Sequence, residues 1–145
     1  MRYNTSMDFE EKKKEIGNIA RAFDLDIVIL FGSFAKGRAH AGSDLDIGVY
    51  RKTPVSFDEE IALSAEFAEV FKRNDVDVVV ISSRTPLLMS SILHTGKILF
   101  EKDPLQTLSL KVYAWKLAAE QAPFRDRSYL SLKNRILHGN AKPAY

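Results

Sequence analysis

The sequence predicts an α/β fold: a small mixed sheet of about four strands, helices packed on it, and a C-terminal helical extension. Three observations predict it. Four short runs rich in β-branched and apolar residues have strand length: Ile27–Phe31, Asp44–Tyr50, Asp75–Ile81 and Lys97–Phe100. Before and between them lie stretches with helical periodicity. A last periodic stretch, Asp103–Ala122, follows the fourth run. The 145 residues are 46% hydrophobic and 28% charged, enough for one domain with its own core. We divide the chain into a core, residues 1–103, and a helical extension, residues 104–145, packed on it as one domain.

In chain order, Met7–Phe23 is expected to be an amphipathic helix. Phe9, Ile16, Ile19, Ala20 and Phe23 recur at helical spacing, with Ser6 or Thr5 as the cap. The first strand, Ile27–Phe31, is apolar throughout, as a strand buried on both faces should be. After the second strand, Ser56-Phe57-Asp58-Glu59 has the form of a capping box. It opens a helix to about Arg73, with Ile61, Ala65, Ala68 and Phe71 inward and Asn74 as its stop. The third run is dense in valine, which predicts a central strand. Thr85-Pro86 starts the next helix, since proline suits a first turn. Leu87, Leu88, Ser91, Ile92 and His94 carry it to Gly96, and the fourth strand follows.

Asp103-Pro104 caps the last helix, which Pro123 should end. It has two apolar stripes, one of Leu105, Leu108, Val112, Trp115 and Ala119, the other of Leu110, Tyr113 and Leu117. At about 100° per residue their centres lie roughly 180° apart, so the helix needs two partners. The Trp115 stripe is expected on the chain's own core, because a tryptophan rarely stays exposed without a use. That leaves Leu110, Tyr113 and Leu117 for another protein, or for Tyr129–Leu137 folding back. From His138 the chain reads as a frayed end.

Composition excludes several classes. There is no cysteine, hence no disulfide framework or thiolate metal site. His40, His94 and His138 have no zinc-like spacing. A net charge of +2 does not argue for direct nucleic-acid binding. No apolar run reaches the roughly 18–20 residues of a membrane span, and no apolar signal core is visible near the start. The expectation is a cytoplasmic protein without a membrane partner.

The chemistry centres on Phe31–Gly48, FGSFAKGRAHAGSDLDIG. Gly32 lacks a Cβ and lets the backbone approach a ligand closely. Ser33 can cap the turn that follows and leave free N–H groups there, a site for phosphate. Asp44 and Asp46 lie two apart at a strand start, so both carboxylates project from one face, roughly 6–7 Å apart. Such a pair repels unless a cation lies between, and hard oxygens near phosphate favour magnesium. Phosphoryl or nucleotidyl transfer is the chemistry this implies. Asp77 lies one residue into the valine run, where a buried carboxylate needs a partner. Asp75 shares its parity but stands at the strand mouth, so Asp77 is the third candidate. Lys36 and Arg38, on the loop Phe34–Ser43 with Gly37 and Gly42 as hinges, could touch a triphosphate or simply be solvated.

Gly32-Ser33, ten intervening residues, then Asp44-Leu45-Asp46 resembles the GS-x10-DxD signature of the DNA polymerase beta nucleotidyltransferase superfamily. The length, and the segment Thr85–Asp103, resemble its minimal members, the MntA-like antitoxins that accompany HEPN toxins. The resemblance covers about Ala20–Asp103 and implies an α+β nucleotidyltransferase-like fold. It implies a third carboxylate after a valine, as in Val76-Asp77-Val78, and a basic residue at the position of Lys36. The roles expected are these. Asp44, Asp46 and Asp77 hold two magnesium ions, with Asp77 also activating the acceptor hydroxyl. Gly32 and Ser33, with Lys36 and Arg38, bind the phosphates of ATP.

The family reading implies transfer of AMP from ATP to a tyrosine of a HEPN ribonuclease toxin. That toxin would be a separate polypeptide, because its Arg-x4–6-His pattern is absent here; Arg135 and His138 are too close. Two other readings stand beside it: an antitoxin that only binds its partner, and a nucleotidyltransferase acting on a small molecule. A polymerase is excluded, since the chain has neither the length nor the basic balance for template and primer.

Overall fold

The computed structural model describes residues 8–40 and 42–138. The elements run α1 (Phe9–Ala22), β1 (Ile27–Phe31), β2 (Leu45–Tyr50), α2 (Phe57–Phe71), β3 (Val76–Val80), α3 (Pro86–Thr95), β4 (Lys97–Glu101) and α4 (Pro104–His138). The four strands form one mixed sheet in the order β3-β2-β1-β4. β1 is antiparallel to both β2 and β4, and β2 is parallel to β3. The expected α+β architecture is present. Among the described residues no helix is long and apolar enough to cross a membrane.

Alternation along the strands separates two cores. Val28, Leu30, Leu45, Ile47 and Val49 turn to one face and are covered by Ile16, Ile19 and Ala20 of α1 and Leu63, Phe67 and Phe71 of α2. Ile27 and Ile29 turn to the other, beneath Met89, Ile92 and Leu93 of α3 and Leu110 and Ala114 of α4. The extension therefore shares a core with the sheet. The valine run is an edge strand, not a central one. Its valines record cover on both faces, by α2 through Val78 and by the second core through Val79, and face burial does not specify lateral position.

Local signals set most helix ends. Asp8, not Ser6 or Thr5, caps α1, accepting from the Glu10 and Glu11 amides at 3.1 and 3.3 Å. The capping box at Ser56 and Glu59 is formed in both directions. α2 stops at Phe71 because Lys72 takes a left-handed conformation, φ 53°, two residues before Asn74. Its buried positions are Leu63, Phe67 and Phe71; Ile61 and Ala65 face solvent. On α3, Met89, Ile92 and Leu93 are buried and Leu87 and Leu88 exposed. The Leu105 amide donates to the Asp103 carboxylate at 3.0 Å, starting α4.

α4 reverses one expectation and extends another. Thr107, Leu110 and Ala114 are buried, whereas Leu105, Leu108, Val112 and Trp115 are exposed, Trp115 by 62%. Of the stripe expected outside, Leu110 is the residue that turns inward, while Tyr113 is exposed and Leu117 half-buried. The reason is closeness: α4 lies against α3, and helices approach along small residues such as Ala114 and Thr107, not along an indole. The helix also continues through Pro123 to His138, so Tyr129–Leu137 does not fold back over the first half. Pro123 removes one backbone bond, costing about 3 kcal/mol, but Ala118, Ala119, Glu120 and Ala122 are strong helix formers. The expected fraying after His138 lies outside the described residues.

One ion pair fastens α2 to the sheet. Arg51 donates to Glu59 Oε2 at 2.6 Å and Oε1 at 2.8 Å, and to the carbonyls of Phe23 and Pro54 at 2.8 and 2.7 Å. The Arg51 hydrogen bonds, then the Ser56 amide, lower the Glu59 pKa from 4.5 to about 2. A depressed folded-state value stabilises the fold above pH 4.5, and this contribution fades as pH falls towards 2. Glu59→Gln should therefore flatten the fall in melting temperature across that window. An unaltered acid slope in the variant would assign the sensitivity to other carboxylates.

Candidate active site

The strand directions bring the end of β1 and the starts of β2 and β3 to one end of the sheet. In register, Phe31 stands opposite Asp46 across β1 and β2. Asp46 stands beside Asp77 across β2 and β3, on backbones about 4.8 Å apart. Leu45, Ile47 and Val49 point into the α1–α2 core, so period two sends Asp46 to the opposite face. Asp44, just before β2, and Asp77 are exposed; Asp46 is half-buried.

Electrostatics ties the three together. Burial first, then the charges of Asp77 and Asp44, hold the Asp46 carboxyl above its ordinary pKa. Gly32 makes room for it. The φ of Gly32 is +73°, and a Cβ there would collide with Asp46 Oδ2. Its role is thus sharper than phosphate approach alone: the turn after β1 and the carboxylate on β2 occupy adjoining space. From Gly32 the chain turns tightly, the Lys36 amide donating to the Gly32 carbonyl at 3.2 Å and the Arg38 amide to the Ser33 carbonyl at 2.9 Å. Ser33 is half-buried in this turn, while Lys36 and Arg38 are exposed on it.

Asp75 is otherwise engaged. Arg73 grips its carboxylate at 2.7 and 2.6 Å, and these bonds lower its pKa. That leaves Asp77 as the neighbour of Asp46. In the sequence Arg73 marks only the approximate end of α2, and nothing there points to this contact.

Among the described residues no three acidic or histidine side chains converge closely enough, as they stand, to hold a metal ion. The donor set nevertheless fits magnesium. It consists of hard carboxylate oxygens. Asp46, raised in pKa by burial first and then by the charges of Asp77 and Asp44, stands beside Asp77 in register, where a cation would relieve the repulsion.

The model of the polymerase beta nucleotidyltransferase family matches residues 14–105. The chain belongs to that family. The match contains Gly32, Ser33, Asp44, Asp46 and Asp77 and extends past both ends of the stretch read from the motif. No curated protein matches the sequence. Solved structures do match. One is a toxin–antitoxin crystal structure with AMP-PNP, 22% identical, TM-score 0.74, covering 83% of this chain and 98% of that one. A second is the tri-AMPylated Shewanella oneidensis HEPN toxin in complex with MNT antitoxin, at 19% and 0.71, covering 86% and 98%. A third is the MntA–HepT toxin–antitoxin, at 19% and 0.70, covering 86% and 98%. At these identities the likeness is one of fold.

Proposed function

We propose that this chain is the antitoxin of a HEPN-type pair and transfers AMP from ATP to a tyrosine hydroxyl of its toxin, blocking it in the cytoplasm. The observation that carries the reading is the Gly32–Asp46–Asp77 arrangement in a nucleotidyltransferase fold. The solved relatives support the substrates: one complex contains AMP-PNP and another an AMPylated HEPN toxin.

The reaction is one displacement. The acceptor oxygen attacks the α-phosphorus of ATP, an O–P bond forms, and the bond from that phosphorus to the bridging oxygen breaks. Pyrophosphate leaves, and the hydroxyl proton passes to Asp77. Asp44, Asp46 and Asp77 are the residues to hold magnesium, two ions in our reading. Held there, magnesium would supply positive charge to stabilise the displacement. The turn at Gly32 and Ser33 orients the β- and γ-phosphates through backbone N–H groups and the serine hydroxyl. Lys36 and Arg38, exposed beside it, screen the triphosphate's charge.

The exposed α4 stripe is where we place the partner. Leu105, Leu108, Val112 and Trp115 repeat at three- and four-residue spacing and remain outside both cores, a seam suited to a toxin helix. Leu108→Ser with Trp115→Ser should weaken partner binding at least tenfold and barely move the melting temperature, as surface changes do. Leu110→Ser should instead destabilise the fold by about 2–5 kcal/mol, because Leu110 is only 8% exposed. Wild-type partner affinity in the double variant would move the docking site off α4.

Co-expression with a HEPN-type protein, sought first in the neighbouring reading frame, tests the function. Intact mass of that protein should show added AMP, mapped to tyrosine. An unmodified toxin that is still neutralised would favour a binding-only antitoxin. AMP found instead on a small metabolite would favour the third reading.

A further inference from the structure

Arg73 touches all three segments that build the site. Its Nε and Nη2 donate to the two Asp75 oxygens at 2.7 and 2.6 Å, two residues ahead of Asp77. Nη2 also donates to the Ser43 carbonyl at 2.9 Å, next to Asp44. The guanidinium lies over the Phe34 ring, 4.9 Å from its centroid, and Phe34 follows Gly32-Ser33 directly. We propose that Arg73 is the positioning residue that locks the Gly32–Ser33 turn to the starts of β2 and β3, and so sets the spacing of Asp44, Asp46 and Asp77.

The clamp is itself held at both ends. Lys72 leaves α2 with φ 53°, and the Arg73 amide closes the helix end on the Ala68 carbonyl at 3.0 Å. This aims the side chain across the strand starts; it is only 21% exposed. Ser43 is buried and anchors the loop before Asp44. Its hydroxyl accepts from the His40 amide at 2.9 Å, and its own amide donates to the His40 carbonyl at 3.0 Å. The Leu45 amide donates to the Asp75 carbonyl at 2.9 Å, so Arg73 and the sheet ladder grip the same junction. Asp46 and Asp77 stand side by side in register on β2 and β3, and a flexible junction would let them spread.

Only arginine has the required shape. A planar fork can bind a carboxylate in two places, reach a carbonyl and stack on a ring together; an ammonium cannot. Lysine should therefore keep the charge and lose the positioning.

The inference rests on the active-site reading above, and its test separates the two. Mn2+ binding is measured by calorimetry in the presence of AMP-PNP, alongside AMP-PNP binding without metal and the melting temperature. Arg73→Lys should weaken Mn2+ binding about tenfold while metal-free nucleotide affinity stays within about twofold. Asp75→Asn should weaken Mn2+ comparably. The double variant should be no worse than the worse single one, because the two residues act as a unit. A lowered melting temperature with unchanged Mn2+ affinity in Arg73→Lys would show a scaffold role only and overturn the proposal. Mn2+ affinity that is unchanged in Asp46→Asn would instead overturn the active-site reading.

Discussion

Asp46→Asn is expected to reduce nucleotidyl transfer about a thousandfold while leaving the fold as stable as the wild type or more so. The variant keeps the shape of the side chain and removes its charge. In the proposed site, losing one charged ligand for magnesium would cost transition-state stabilisation of several kcal/mol, and about 4 kcal/mol corresponds to a thousandfold. The stability effect has the opposite sign. Asp46 is held in place despite burial and the repulsion of Asp77 and Asp44, and asparagine relieves both. Transfer of label from α-phosphate-labelled ATP, with a thermal melt in metal-free buffer, reads the two effects. A variant that melts far lower would mean that the carboxylate is a structural strut. Neutralisation of a HEPN-type partner that survives the loss of transfer would favour binding, not modification, as the means of the proposed antitoxin.

Gly32→Ala should be almost as damaging, by a different route. Its φ of +73° strains any residue with a Cβ, at about 1–2 kcal/mol. The added carbon would also strike the Asp46 carboxylate, so the side chain proposed to hold magnesium must move or the turn must shift. We expect transfer to fall at least a hundredfold and the melting temperature by several degrees. Gly37→Ala is the control. Gly37 has φ +66° and nothing within 4 Å of where a Cβ would stand, so it suffers the backbone strain without the collision. It should lower the melting temperature similarly and retain most of the activity. Equal loss of activity in both variants would trace the Gly32 effect to turn strain and not to contact with Asp46.

The local pattern of the chain determined the elements, the family and the candidate site. Four β-branched runs, a capping box at Ser56 and Glu59, and the spacing from Gly32-Ser33 to Asp44 and Asp46 are each written within a few residues. Short-range physics is enough to read them, because capping, period-two alternation and turn chemistry depend on near neighbours. Three matters were left to the tertiary structure. β3 is an edge strand because lateral order depends on strand pairing, to which face burial is blind. α4 turns Ala114 inward and Trp115 outward because close helix packing selects small residues, whereas hydrophobicity alone makes the two stripes equivalent. Arg73 joins Phe34, Ser43 and Asp75 across the strand starts. Two of those partners are distant in sequence, so no periodicity reports the contact. It exists only once parallel pairing has brought β3 beside β2.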